Sequence, residues 1–175
     1  MRTVLLQLEG VFVLPTFIRS AVRPYADARR PAWLAQHGGE GLSAVEIEAA
    51  LWAEALSGAL TTAPQRDVVR NLRRWRQAGD RVVLLGEPDA ALTALLLTRT
   101  THNDLSLLID GVLGGPHGDP LDPAAWTRWA GDHPGLTPVL ADVGWVEAAR
   151  AAGLPAVLLD RGGRAPGAVA SLDEV

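Results

Sequence analysis

Apolar residues in this chain fall into short runs that alternate with longer stretches of helical period, and glycine or proline punctuates the joins. Thr3 to Leu8 reads as a strand stopped by Glu9-Gly10. Thr16 to Gln36 reads as helix, interrupted at Pro24 and Pro31 and ended by His37-Gly38-Gly39, where glycine supplies a left-handed cap. Leu42 to Leu56 follows a Ser43 cap, with Ala44, Ile47, Leu51 and Ala55 at helical spacing. Pro64 to Ala78 places Val68, Leu72 and Trp75 on one face, and Arg81 to Leu85 is a second strand. Then come a helix over Asp89 to Thr98, the short run Gly111-Val112-Leu113, a Gly/Pro-rich loop from Gly114 to Pro123, and a helix bearing Trp126 and Trp129. Pro138 to Ala141, a helix over Trp145 to Ala152, Ala156 to Leu159 and a polar, Gly-rich tail complete the pattern.

Strand alternating with helix predicts an α/β fold, a three-layer sandwich whose parallel sheet is covered on both faces. The stretch between the first two strands is wholly helical and roughly 70 residues long, where a simple crossover needs about a dozen. We therefore expect one domain, with a core over approximately 1–14 and 80–175 and a small helical cap inserted over approximately 15–79. Ligands of such sheets sit beyond the carboxyl ends of the strands. The loops that matter follow Leu8 and Leu85, run from Gly114 to Pro123, and follow Leu140.

Composition narrows the chemistry. The 175 residues carry 20 acidic and 16 basic side chains, a formal net charge of −4, and no cysteine. Disulfide scaffolds, zinc–cysteine sites and cysteine nucleophiles are thereby excluded. The acidic balance argues against nucleic acid as a partner, although it leaves room for a small phosphorylated ligand. Apolar runs of about ten residues fall short of the roughly 20 a membrane span requires, and the start lacks a signal-peptide pattern, so the expected location is cytoplasmic. Every basic residue is arginine, and the chain has no lysine.

Several ordered segments carry a resemblance. Leu6-Gln7-Leu8-Glu9-Gly10, the run from Phe17 to Ala26, the run from Leu72 to Gly79, Asp104-Leu105, Asp110-Gly111, Ala141-Asp142-Val143, Ala148 to Gly153 and Val157 to Arg161 together resemble the enolase-phosphatases of methionine salvage. These are members of the haloacid dehalogenase superfamily of magnesium-dependent phosphatases. The resemblance implies the superfamily's Rossmann-like sheet with a helical cap, and four motifs. The first is a nucleophilic aspartate with an acidic general acid/base two residues on, and here these positions hold Gln7 and Glu9. The second is a serine or threonine that donates to the phosphoryl group, and its position holds Gly86, followed by Glu87. The third is a lysine, and ungapped counting from Asp110-Gly111 places Pro120 there. The fourth is an acidic pair for Mg2+, of which Asp142 is retained, while Val146 stands at the second position with Glu147 as a nearby substitute. The cap segment that reads the phosphorylated substrate in that family has no clear counterpart between Gly41 and Leu56.

Phosphate monoesters hydrolyse so slowly that enzymes supply accelerations of up to roughly 10²¹, chiefly by nucleophilic attack and electrostatic clamping. A neutral amide at Gln7 provides neither nucleophile nor metal charge, and Glu87 would repel a phosphate. The expected function is accordingly a degenerate haloacid-dehalogenase-like protein that lacks phosphatase activity and serves as a binding or assembly module, as a homodimer. The alternative is a magnesium-dependent hydrolase with a site rebuilt from Glu9, Asp142 and His117, acting on a small phosphorylated metabolite.

The remaining candidates each carry a plainer reading. Glu9 serves as a general base or as a strand-end carboxylate that caps a neighbouring amide. Asp142 is the best metal-ligand candidate, though one carboxylate holds Mg2+ weakly. His117 beside Asp119 supplies a base and its orienter, or is a solvated loop histidine. Arg66, Arg70, Arg73 and Arg74 are expected to form a solvated outer face, and Arg19 to attract an anion near the entrance. Trp33, Trp52 or Trp145, if exposed, would mark an oligomer contact.

Overall fold

A computed structural model describes residues 2–86, 90–114 and 117–175. Five strands form one parallel sheet: β1 (Thr3–Gln7), β2 (Arg81–Gly86), β3 (Gly111–Gly114), β4 (Leu136–Leu140) and β5 (Val157–Leu158), in the spatial order β3-β2-β1-β4-β5. β1 is central, with Thr3 opposite both Arg81 and Leu136, and Gln7 opposite Leu85. Among the described residues six α-helices accompany it: α1 (Arg23–His37), α2 (Ala44–Glu54), α3 (Val68–Gln77), α4 (Ala90–Thr98), α5 (Pro123–Asp132) and α6 (Val143–Ala151). This is the expected three-layer α/β architecture.

Alternate strand residues face opposite sides, so the sheet feeds two separate cores. Val4, Leu6, Val82, Leu84 and Val139 join a cluster with Leu72 and Trp75 of α3 and Leu96 of α4, and it extends without a break to Trp33 and Trp52 of the inserted helices. On the other face Leu5, Val83, Leu85 and Leu140 pack on α5 and α6. There Trp126 and Trp129 meet edge to face at 4.9 Å. Each indole N–H finds a carbonyl, Trp126 Nε1 on Pro120 at 2.7 Å and Trp129 Nε1 on His117 at 3.1 Å. Buried indoles demand such partners, and these two draw the loop at 117–120 down onto α5.

Local signals explain the helix ends. Ser43 Oγ accepts from the Glu46 N–H at 3.2 Å while Glu46 returns a carboxylate to the Ser43 N–H at 2.7 Å, a complete capping box. Asp122 caps α5 ahead of Pro123. The expected breaks at Pro24 and Pro31 do not occur: α1 is continuous. A wide turn over Ile18–Val22 brings Pro24 to the first turn of α1, where a missing N–H costs nothing, and Pro31 lies on the exposed side, where water can reach the carbonyl of Asp27.

Three sequence expectations are corrected here. Trp33 and Trp52 are buried, at 9% and 1% exposure, so neither marks a free surface. The tail is not merely polar and loose, because Val169 pairs with Leu159 beside β5 and Leu172 is fully buried. Nor are Arg70 and Arg74 simply a solvated face. Arg70 forks onto Asp173, Asn71 Nδ2 donates to Asp173 Oδ1 at 2.9 Å, and Arg74 Nη2 donates to the Leu172 carbonyl at 3.1 Å. The outer edge of α3 is thus the seat of residues 171–174. Among the described residues no helix is long and apolar enough to cross a membrane.

Candidate functional site

Beyond the carboxyl ends of β1, β2 and β4 the chain leaves a cleft of about 430 Å³. β1 delivers Gln7 to its floor, and Gly86 ends β2 beside it. After Gln7 the backbone turns sharply: Glu9 is extended, Gly10 takes φ +95°, and the Val13 N–H closes the loop on the Leu8 carbonyl at 2.9 Å. Position 10 tolerates no side chain, since a Cβ there would lie 2.7 Å from that of Ala141. This close approach holds the β1 and β4 tips together and brings Asp142 into the cleft.

Gln7 is tethered. Its side-chain carbonyl Oε1 accepts the Ala141 N–H at 2.8 Å and the Asp142 N–H at 3.2 Å. Two backbone donors fix which way the amide faces, so the NH2 group is turned away from them. An aspartate could accept the same two donors with one oxygen and keep the other for attack. Glutamine keeps the tether and places a non-nucleophilic nitrogen where that second oxygen would stand.

The two carboxylates are also occupied. Glu9 Oε1 accepts the Ile18 N–H at 3.0 Å and so fixes the first turn of the inserted helices. Asp142 Oδ1 accepts the Trp145 N–H at 3.0 Å and is the N-cap of α6. Mg2+, which the sequence resemblance implied, does not fit this donor set. Gln7 Oε1 has both lone pairs committed and carries no charge, and the described residues contain no group of three His, Asp or Glu side chains that could surround an ion.

Of the sequence candidates, Gln7, Glu9, Gly86 and Asp142 converge on the cleft. Pro120 and His117 are not among its described lining, because their carbonyls are claimed by the α5 indoles and the His117 ring is exposed. Glu87 lies outside the described residues. The sequence reading missed Arg23, which joins Arg19 on the cap-side wall, and weighed Trp145 only as an oligomer contact, whereas it is half-buried and lines the cleft. The four-residue spacing of Arg19 and Arg23 was the available signal.

No protein-family model matches the chain. An enolase-phosphatase E1 of Gluconacetobacter diazotrophicus is 30% identical over 192 aligned positions, covering 87% of this chain and 80% of that one. Among solved structures, the UTR4 protein of Saccharomyces cerevisiae superposes with a TM-score of 0.80 at 17% identity, covering 94% of this chain and 92% of that one. The L-2-haloacid dehalogenase of Xanthobacter autotrophicus superposes with a TM-score of 0.57 at 14% identity, covering 92% and 78%. Both structural likenesses concern the fold.

Proposed function

This chain belongs to the enolase-phosphatase family of the haloacid dehalogenase superfamily, and from that premise we propose that it is a non-hydrolysing member, whose cleft binds a small anionic molecule without cleaving it. The observation that carries this reading is the tethered Gln7 amide. Phosphoryl transfer to the protein would require an anionic oxygen at the end of β1, and the group there is a carbonyl with both lone pairs engaged, backed by an NH2 whose own lone pair is delocalised into the amide. At the strand tips Gly86 has no side-chain donor, and the chain has no lysine to neutralise a phosphoryl group there. The rival reading, a hydrolase rebuilt on Glu9 and Asp142, would draw on carboxylates that each already hold a backbone N–H through one oxygen, at the cap entrance and at the start of α6.

Incubation of the purified chain with phenyl phosphate and Mg2+ tests the reading. The expected result is phenol release no faster than in a protein-free control. Release that is abolished by Glu9→Gln would overturn it.

A further inference from the structure

The cleft divides its charge between two walls. Glu9 and Asp142 lie on the sheet side, while Arg19 and Arg23 lie on the side of the inserted helices. Further along α1 the arginines are matched: Arg29 pairs with Glu54 at 2.5 Å and Arg30 pairs with Glu48. Arg19 and Arg23 make no ion pair with any described residue, and both are exposed. Four residues apart on one helical stretch, they are neighbours of like charge, an arrangement that costs stability unless something anionic lies between them. The Glu9 bond to the Ile18 N–H holds this stretch against the cleft.

The described floor disfavours an anion. The Ala141 and Asp142 N–H groups are consumed by Gln7, Gly86 offers no side-chain donor, and two carboxylates stand alongside. The apolar surface left to a ligand is that of exposed Pro15 and the half-buried Trp145 ring, since Leu8, Ile18 and Leu85 at the margin are buried. The cleft's volume is that of a small-molecule site.

We propose, on the non-hydrolysing reading given above, that this cleft binds an organic anion with an apolar, ring-bearing body, its carboxylate or phosphate held by Arg19 and Arg23 on the cap side rather than at the strand tips. Guanidinium forks donate to either head group in bidentate fashion, and the body then covers Trp145 and Pro15. The ligand is therefore displaced outward from the place where phosphoryl chemistry would occur.

Calorimetric titration of the full chain with phenyl phosphate, benzoate and inorganic phosphate tests this. Phenyl phosphate is expected to bind more tightly than inorganic phosphate, and benzoate is expected to bind at the same place in competition with it. Arg19→Gln and Arg23→Gln should each weaken phenyl phosphate binding about tenfold, as loss of a charge-assisted hydrogen bond does. Trp145→Leu should weaken phenyl phosphate but not inorganic phosphate, whereas Arg73→Gln, at an exposed position of α3, should change neither. Because Arg19 and Arg23 are exposed and repel one another, these variants should melt no lower than the parent. Binding that survives both arginine substitutions, falls equally with Arg73→Gln, or is absent for all three probes would overturn the proposal. Phenol release in the same samples is a separate outcome: it would overturn the non-hydrolysing reading, while arginine-dependent binding would leave this seat standing.

Discussion

Arg161 Nη1 donates to Asp67 Oδ2 at 2.7 Å while Nη2 of the same guanidinium reaches the Val11 carbonyl at 3.2 Å. One side chain beyond β5 thus grips the chain where it leaves β1 and again where it enters α3, the two ends of the inserted helices. Asp67 is only 3% exposed, so removing its cation leaves a buried carboxylate short of compensation. Arg161→Met should lower stability by about 2–3 kcal/mol in urea denaturation, less than for a fully buried pair because Arg161 is partly exposed. Arg161→Lys should not restore it, since an ammonium cannot span both acceptors.

The same carboxylate sets an acid limit. Burial pushes Asp67 up, but Arg161, the Leu172 N–H at 2.8 Å and the Ser171 hydroxyl at 3.0 Å outweigh it and hold the group below the usual carboxylate range. A depressed value favours the folded state above the unfolded pKa, and that contribution is lost as pH falls through the folded one. Denaturation midpoints should therefore drop steeply below about pH 4. In Asp67→Asn this acid limb should be shallower.

His133 acts in a different window. Burial, with Arg81 nearby, holds its imidazole below the ordinary value against the opposing pull of Asp132. The folded chain then binds fewer protons than the unfolded chain, so stability should decline as pH falls below about 6.5. His133→Phe should flatten thermal midpoints between pH 7 and 5 and leave the carboxylate limb in place.

Gly10→Ala meets two obstacles at once, a φ of +95° and a contact of 2.7 Å with the Ala141 Cβ. A cost of about 2 kcal/mol or more is expected in thermal denaturation. Adding Ala141→Gly should recover the part that comes from the clash and leave the part that comes from the backbone.

Gln7→Asp restores a carboxylate but neither the hydroxyl at Gly86 nor an ammonium anywhere in the chain. Phenyl phosphate turnover in that single variant should stay at background. Measurable turnover would mean that the nucleophile alone had limited the reaction.

Local features were the legible ones. The alternation of Val4 to Leu6 and Val82 to Leu85, the Ser43 cap and the tryptophans of α5 act over a few residues, and the structure carries each of them. The convergence of Gln7, Glu9, Gly86 and Asp142 was readable because a parallel sheet brings its strand ends to one edge. What escaped depends on partners far apart in sequence. Asp67 meets Arg161 and Leu172 across about a hundred residues, and no periodicity marks such a pair. His117 and Pro120 escaped for another reason: residue counting cannot reveal that two indoles would claim their carbonyls.

Each ionic tie between described side chains, from Arg2 with Asp80 to Arg161 with Asp67, has a guanidinium as its positive member. That group keeps its proton in any alkaline medium a protein survives. The clasp on the inserted helices and the docking of the last residues can therefore be undone only by discharging the acids. Ionic control of this fold is one-sided: lye leaves its clasps fastened, and vinegar opens them.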